Sequence, residues 1–132
     1  MSTYVDASAV VKLYVQESDS EQAAELLRVP WATGRHTLVE VRRALAQTLD
    51  GGELEIARER FATDWEVTFV VELDDVTCET AAQLAESTGA RTLDALHLGA
   101  AVTLGDGKLP FVTFDLRLAE AARSLGWEVL GA

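Results

Sequence analysis

Thr3-Tyr4-Val5-Asp6-Ala7-Ser8-Ala9-Val10-Val11 decides the fold. A short β-forming run ends at a single carboxylate, and apolar residues suited to a helix follow at once. Working outward, the same unit recurs. Trp31-Ala32-Thr33 precedes a helical face of Leu38, Val41, Leu45 and Leu49, and Thr68-Phe69-Val70-Val71-Glu72 precedes a helix over Val76 to Ala85. Phe111-Val112-Thr113 precedes a helix from Leu116 to Leu125 that Gly126 closes, and Glu128-Val129-Leu130 is the last strand candidate. Leu54, Ala57, Phe61 and Trp65 mark a further helix, with Gly51-Gly52 as the break before it, and Leu93 to Leu104 marks another. Strands alternating with helices predict an α/β fold, a mostly parallel sheet of four to five strands covered on both faces.

Composition narrows the classes. The 132 residues are one domain's worth of chain, so a single domain over 1–132 is expected, and 48% hydrophobic content supplies its core. Acidic residues number 22 against 11 basic ones, a net charge of -11, which removes bulk attraction to nucleic acid or anionic membrane. A polyanionic substrate must therefore be held by something local. No apolar run approaches a membrane span, and the early Asp6 without a basic segment before it gives no secretory signal, so a cytoplasmic location is expected. Cys78 is the only cysteine, which excludes an internal disulfide, and its apolar neighbours predict an inert buried thiol.

In an open α/β sheet the functional crevice lies at the carboxyl ends of the strands, and acids cluster there in this sequence. Asp6 follows the first strand, Glu40 sits in the first turn after the second, Asp94 opens the apolar helix and Asp115 follows the Phe111-Val112-Thr113 strand. Each has a structural explanation. Asp6 and Asp115 suit N-caps, Thr37-Leu38-Val39-Glu40 matches a capping box, and Thr92 could cap the helix that holds Asp94. Caps explain why each acid is tolerated, but not why four in this order meet at one end of a sheet. A divalent cation does: Mg²⁺, or Mn²⁺ in its place, takes hard oxygen ligands from a few carboxylates and leaves positions for phosphate.

At these residues the chain resembles a known family. Val5-Asp6-Ala7-Ser8-Ala9-Val10-Val11-Lys12-Leu13-Tyr14, Thr37-Leu38-Val39-Glu40-Val41-Arg42-Arg43-Ala44-Leu45, Leu93-Asp94-Ala95-Leu96-His97-Leu98 and Thr113-Phe114-Asp115 look like the four signature blocks of PIN-domain ribonucleases, specifically VapC-type toxins of type II toxin-antitoxin pairs. The resemblance implies a PIN-like α/β/α sandwich and a Mg²⁺-dependent endoribonuclease. It makes Asp6, Glu40, Asp94 and Asp115 the catalytic, metal-binding carboxylates, with Ser8 and Thr113 as supporting hydroxyls. It further implies cleavage to a 5′-phosphate and a 3′-hydroxyl, a homodimer, an RNA substrate and inhibition by a cognate VapB-type antitoxin. One departure is Arg117, where some members carry a further acid.

Other residues carry weaker signals. His97 lies three residues after Asp94 and could approach substrate, but it is expected to be a packed core or rim histidine; Arg42 and Arg43 fit phosphate or antitoxin contact and plain solvated helix positions equally, and His36 is similar. Trp31, Trp65 and Trp127 suit packing. Ala23, Leu26, Leu27, Val41, Ala44 and Leu45 exceed one narrow stripe and are expected to receive an antitoxin segment. A phosphoacceptor receiver domain needs an adjacent acidic pair after the first strand, and a haloacid-dehalogenase phosphatase needs an aspartate where Ser8 stands. Both fail. The remaining alternative is a catalytically weak PIN-like module acting mainly through protein-protein binding.

Overall fold

The computed structural model describes residues 3–105 and 108–132. Its five strands are β1 (Thr3–Val5), β2 (Trp31–Gly34), β3 (Phe69–Val71), β4 (Phe111–Thr113) and β5 (Val129–Gly131), all parallel and ordered β3-β2-β1-β4-β5. Among the described residues, seven helices fill the connections: α1 (Ala7–Val11), α2 (Ser20–Leu26), α3 (Thr37–Thr48), α4 (Gly51–Glu66), α5 (Asp75–Thr88), α6 (Thr92–Gly105) and α7 (Leu116–Ser124).

The pleat divides the core in two. Val5 and Val112 point to one face, where they pack with Val10 of α1, Val41 and Leu45 of α3 and Phe61 of α4. Their strand neighbours Tyr4 and Phe111 point to the other, against Leu98 of α6 and Leu118 of α7. Helices on both faces of one parallel sheet make the expected α/β/α sandwich. β1 is central, and the strand order reverses around it, which puts the crevice between the carboxyl ends of β1 and β4.

Several expectations change. Ala23, Leu27, Val41 and Leu45 are core residues, so they offer no free face to a partner. Cys78 is exposed, because α5 turns Thr77 and Ala81 inward instead. Gly51 and Gly52 start α4 rather than separating two helices, and the break falls at Leu49 and Asp50. The three tryptophans do pack: Trp31 and Trp65 border the first core and Trp127 the second. Gly126 ends α7 at φ 84, a left-handed conformation that suits glycine.

Candidate active site

Asp6 leaves β1 and caps α1, its Oδ1 accepting the Ala9 N–H at 3.3 Å. Capping uses only part of its capacity. Ser8 Oγ donates to both carboxylate oxygens, at 2.8 and 3.0 Å, and Thr113 Oγ1, at the end of β4, donates to Oδ2 at 2.9 Å. Ser8 Oγ in turn accepts the Phe114 N–H, and Thr113 Oγ1 accepts the Asp115 N–H. Two hydroxyls thus join the ends of neighbouring strands and hold the carboxylate between them. Asp6 is 4% exposed; burial pushes its carboxyl above the usual range, opposed by His97, Ser8, Thr113 and the Ala9 amide.

Asp115 is an N-cap too, with Oδ1 accepting from Arg117 and Leu118 at 2.9 and 3.0 Å. Its Oδ2 faces Arg91 at 3.5 Å, and the same guanidinium group lies 3.1 Å from Asp94 Oδ2. Arg91 therefore spans two of the four acids. Thr92 is not the residue before α6 but its first, and Asp94 sits in the first turn, where the helix dipole favours negative charge.

Glu40 does not close the expected capping box. Thr37 is already helical, preceded by His36, and its hydroxyl pairs with Thr33 Oγ1 at 2.6 Å. Freed from capping, Glu40 Oε1 accepts a hydrogen bond from His97 Nε2 at 2.8 Å. A relay stands behind that contact: the Gly34 N–H donates to the Tyr4 hydroxyl at 3.1 Å, which meets His97 Nδ1 at 2.8 Å. With Glu40 ionised, His97 carries its proton on Nε2 and accepts from Tyr4 at Nδ1. Burial holds the His97 pKa below its ordinary value, while the charges of Asp6, Asp94 and Asp115 push it back up. That opposition marks His97 as a meeting point of acids from β1, α6 and β4.

The sequence reading missed Arg91 and undervalued both histidines. Arg91 and Asp94 stand three residues apart, as do Asp94 and His97, and His36 and Glu40 stand four apart; these same-face spacings were the available signal. A cleft of about 500 Å³ opens beside Glu40, the one of the four acids that lines it, with Ser8, Lys12, Glu17, Arg43 and Leu93 among its other walls. The four acids are joined through intermediaries: Thr113 links Asp6 to the Asp115 amide, Arg91 links Asp115 to Asp94, and Glu40 is held by His97. Among the described residues no three of the four bring carboxylate oxygens within 4.8 Å of one another; their oxygen chemistry nevertheless suits a hard divalent cation.

A family model described as PIN domain matches residues 3–124. The chain belongs to the PIN-domain family. It is 34% identical to Ribonuclease VapC45 of Mycobacterium tuberculosis over 140 aligned residues, covering 98% of this chain and 94% of that protein. The fold also matches the M. tuberculosis VapC20 structure, described as a sarcin-ricin loop cleaving toxin, with a TM-score of 0.69 at 19% identity over 91% of this chain and 95% of that one. A second similar structure is VapBC-5 of M. tuberculosis, described as a member of the VapBC family of toxin-antitoxin systems, with a TM-score of 0.65 at 20% identity over 98% of each chain.

Proposed function

We propose that this PIN-domain chain is the toxin of a type II toxin-antitoxin pair, a cytoplasmic endoribonuclease that depends on Mg²⁺ or Mn²⁺ and folds as one domain over 1–132. The observation that carries the reading is the buried Asp6 carboxylate, held by Ser8 and Thr113 where β1 meets β4, with Asp115 tied to the same threonine. Asp6, Glu40, Asp94 and Asp115 would hold the ion, which when bound supplies Lewis acidity toward water and the scissile phosphate. The chain's own part is orientation. Ser8 and Thr113 keep both Asp6 oxygens directed, and the Tyr4–His97 relay keeps Glu40 turned toward the crevice. Arg43 on the cleft wall offers positive charge to an RNA backbone that the rest of the molecule repels, whereas Lys12 beside it is already paired with Asp19 and Glu17.

The partner reading rests on a different feature. Val39, Leu93 and Leu116 are 67%, 50% and 76% exposed, and each is the immediate neighbour of one of the acids. This apolar rim suits an antitoxin segment that covers the site and directs a basic side chain to the carboxylates. The toxin would act as a homodimer. Among the described residues no helix is long and apolar enough to cross a membrane.

The deciding experiment incubates purified protein with structured RNA in Mg²⁺, in Mn²⁺ and in excess EDTA, beside Asp6→Asn. Cleavage to 5′-phosphate ends should require the metal and should be lost in Asp6→Asn without loss of fold. Cleavage that persists in EDTA overturns the metal-dependent mechanism, and a folded wild type that cuts no RNA but binds its antitoxin favours a binding module instead.

A further inference from the structure

We infer that His36, Glu40 and His97 form a second cation site, suited to Zn²⁺ and its borderline relatives, that shares Glu40 with the four-acid group. Among the described residues these three are a set whose ligating atoms all lie within 4.8 Å of one another.

The first argument is an unmet need. His36 is 9% exposed, yet both of its ring nitrogens are buried without a hydrogen-bond partner. A neutral imidazole has one N–H and one lone pair, and burying both unpaired is costly. The Leu93 carbonyl approaches the ring without making a hydrogen bond of normal geometry. The chain nevertheless makes room for it. A Cβ on Gly34 would stand 2.6 Å from His36 Cε1 and 2.7 Å from Nδ1, so only a glycine lets the ring lie where it does.

The second argument is geometry. Donors around a tetrahedral ion at about 2.0–2.1 Å stand about 3.3 Å apart. His36 Nε2 lies 3.7 Å from Glu40 Oε1 and His97 Nε2 lies 2.8 Å from it, which brackets that separation. The imidazole rings of His36 and His97 are 4.1 Å apart, tilted by 45°, so small rotations bring the three donors around one point.

The third argument is ligand chemistry. His97 already has the outer partner that a ligating histidine uses, since its Nδ1 meets the Tyr4 hydroxyl. A bound cation would take the place of the Nε2 proton assigned above, with His97 in its other tautomer: Nδ1–H donates to the Tyr4 hydroxyl, and the Nε2 lone pair beside Glu40 binds the ion. Two imidazoles and one carboxylate select Zn²⁺ over Mg²⁺, which prefers oxygen and its own waters. Because Glu40 serves both groups, Zn²⁺ should oppose Mg²⁺-dependent cleavage; that consequence rests on the function proposed above, whereas the binding does not.

His36 and His97 are the only histidines in the chain, so the test has no background. Untagged, EDTA-treated protein in a Cys78→Ser background, which removes the exposed thiol as a competing ligand, is titrated at pH 7.5 with ZnCl₂ by calorimetry and by histidine side-chain ¹H–¹⁵N NMR. One Zn²⁺ per chain should bind, with both ring spectra shifting. His36→Gln should weaken binding about tenfold or more, while Asp6→Asn should keep it. Zinc binding that leaves the His36 ring unmoved overturns the site, as does a folded His36→Gln that binds like its parent. Should His36→Gln fail to fold, the NMR titration of the parent decides alone. In a cleavage assay at fixed Mg²⁺, Zn²⁺ should slow the parent more than His36→Gln, and binding without slowing overturns the sharing of Glu40. A protein that cuts no RNA at all refutes the proposed function and leaves the zinc titration to stand or fall by itself.

Discussion

Arg91 places a guanidinium group between Asp94 and Asp115. It offsets the mutual repulsion of Asp94 and Asp115, and under the function proposed above it competes with the cation for them. Its side chain is more than half exposed, so the pair adds under about 1 kcal/mol to stability. Arg91→Ala should therefore lower the melting temperature slightly in EDTA and enlarge the rise that Mg²⁺ produces; an unchanged Mg²⁺ increment in paired melts would show that Arg91 does not compete with the ion. Thr113 is a sterner case, because its buried hydroxyl donates to Asp6 and accepts from the Asp115 amide. Thr113→Val keeps the shape and strands both partners, so urea unfolding should show a loss of about 1–3 kcal/mol, with cleavage falling as Asp6 loses its orientation. At this scale Asp6 and Asp115 were readable from their place after a strand, whereas the supporting hydroxyls of Ser8 and Thr113 came only from the family resemblance. The sequence was opaque where burial comes from afar. His36 looks like a surface residue until Gly34 and α6 enclose it, and Cys78 looks apolar in company until α5 picks its inward face.

Helix α6 shows how one element can position several acids. Its buried run Leu98 to Ala101 lies against the sheet and α5, and Gly99 permits the closest approach. A Cβ there would sit 2.8 Å from the Ala81 Cβ and 2.9 Å from the Ala81 backbone nitrogen. Gly99→Ala would gain about 1 kcal/mol of helix propensity and lose about 1–3 kcal/mol to overpacking, so denaturant unfolding should show a net loss. A gain would mean that α5 and α6 separate freely. Because α6 also carries Asp94 and His97, any shift of its axis should weaken metal binding as well. Element types and the parallel arrangement were legible, since β-rich runs alternate with helical faces. Strand order was not. β1, β3, β4 and β5 are three residues long and β2 four, mostly buried with no register signal of their own, so the order β3-β2-β1-β4-β5 is decided by which helices pack together.

The whole molecule carries a net charge of -11 toward a polyanionic substrate. Long-range repulsion slows approach, and salt relieves it, because the screening length falls from about 30 Å at 0.01 M to about 10 Å at 0.1 M. At fixed Mg²⁺, kcat/KM for RNA should rise over that range of NaCl, opposite to the decline that phosphate-gripping proteins show; a steep fall in initial rates would mean that local cations such as Arg43 govern the encounter. The site is also assembled across a long stretch of chain. The Thr113 to Asp6 bond joins residues 107 apart, and β4 must slot in beside β1 before either hydroxyl clamp can close. During synthesis, β1 leaves the ribosome with its carboxylate and waits for a neighbour that has not been translated. Until then the Asp6 carboxylate lacks the Thr113 hydroxyl, so the centre proposed for this chain is completed only after most of the chain has been made.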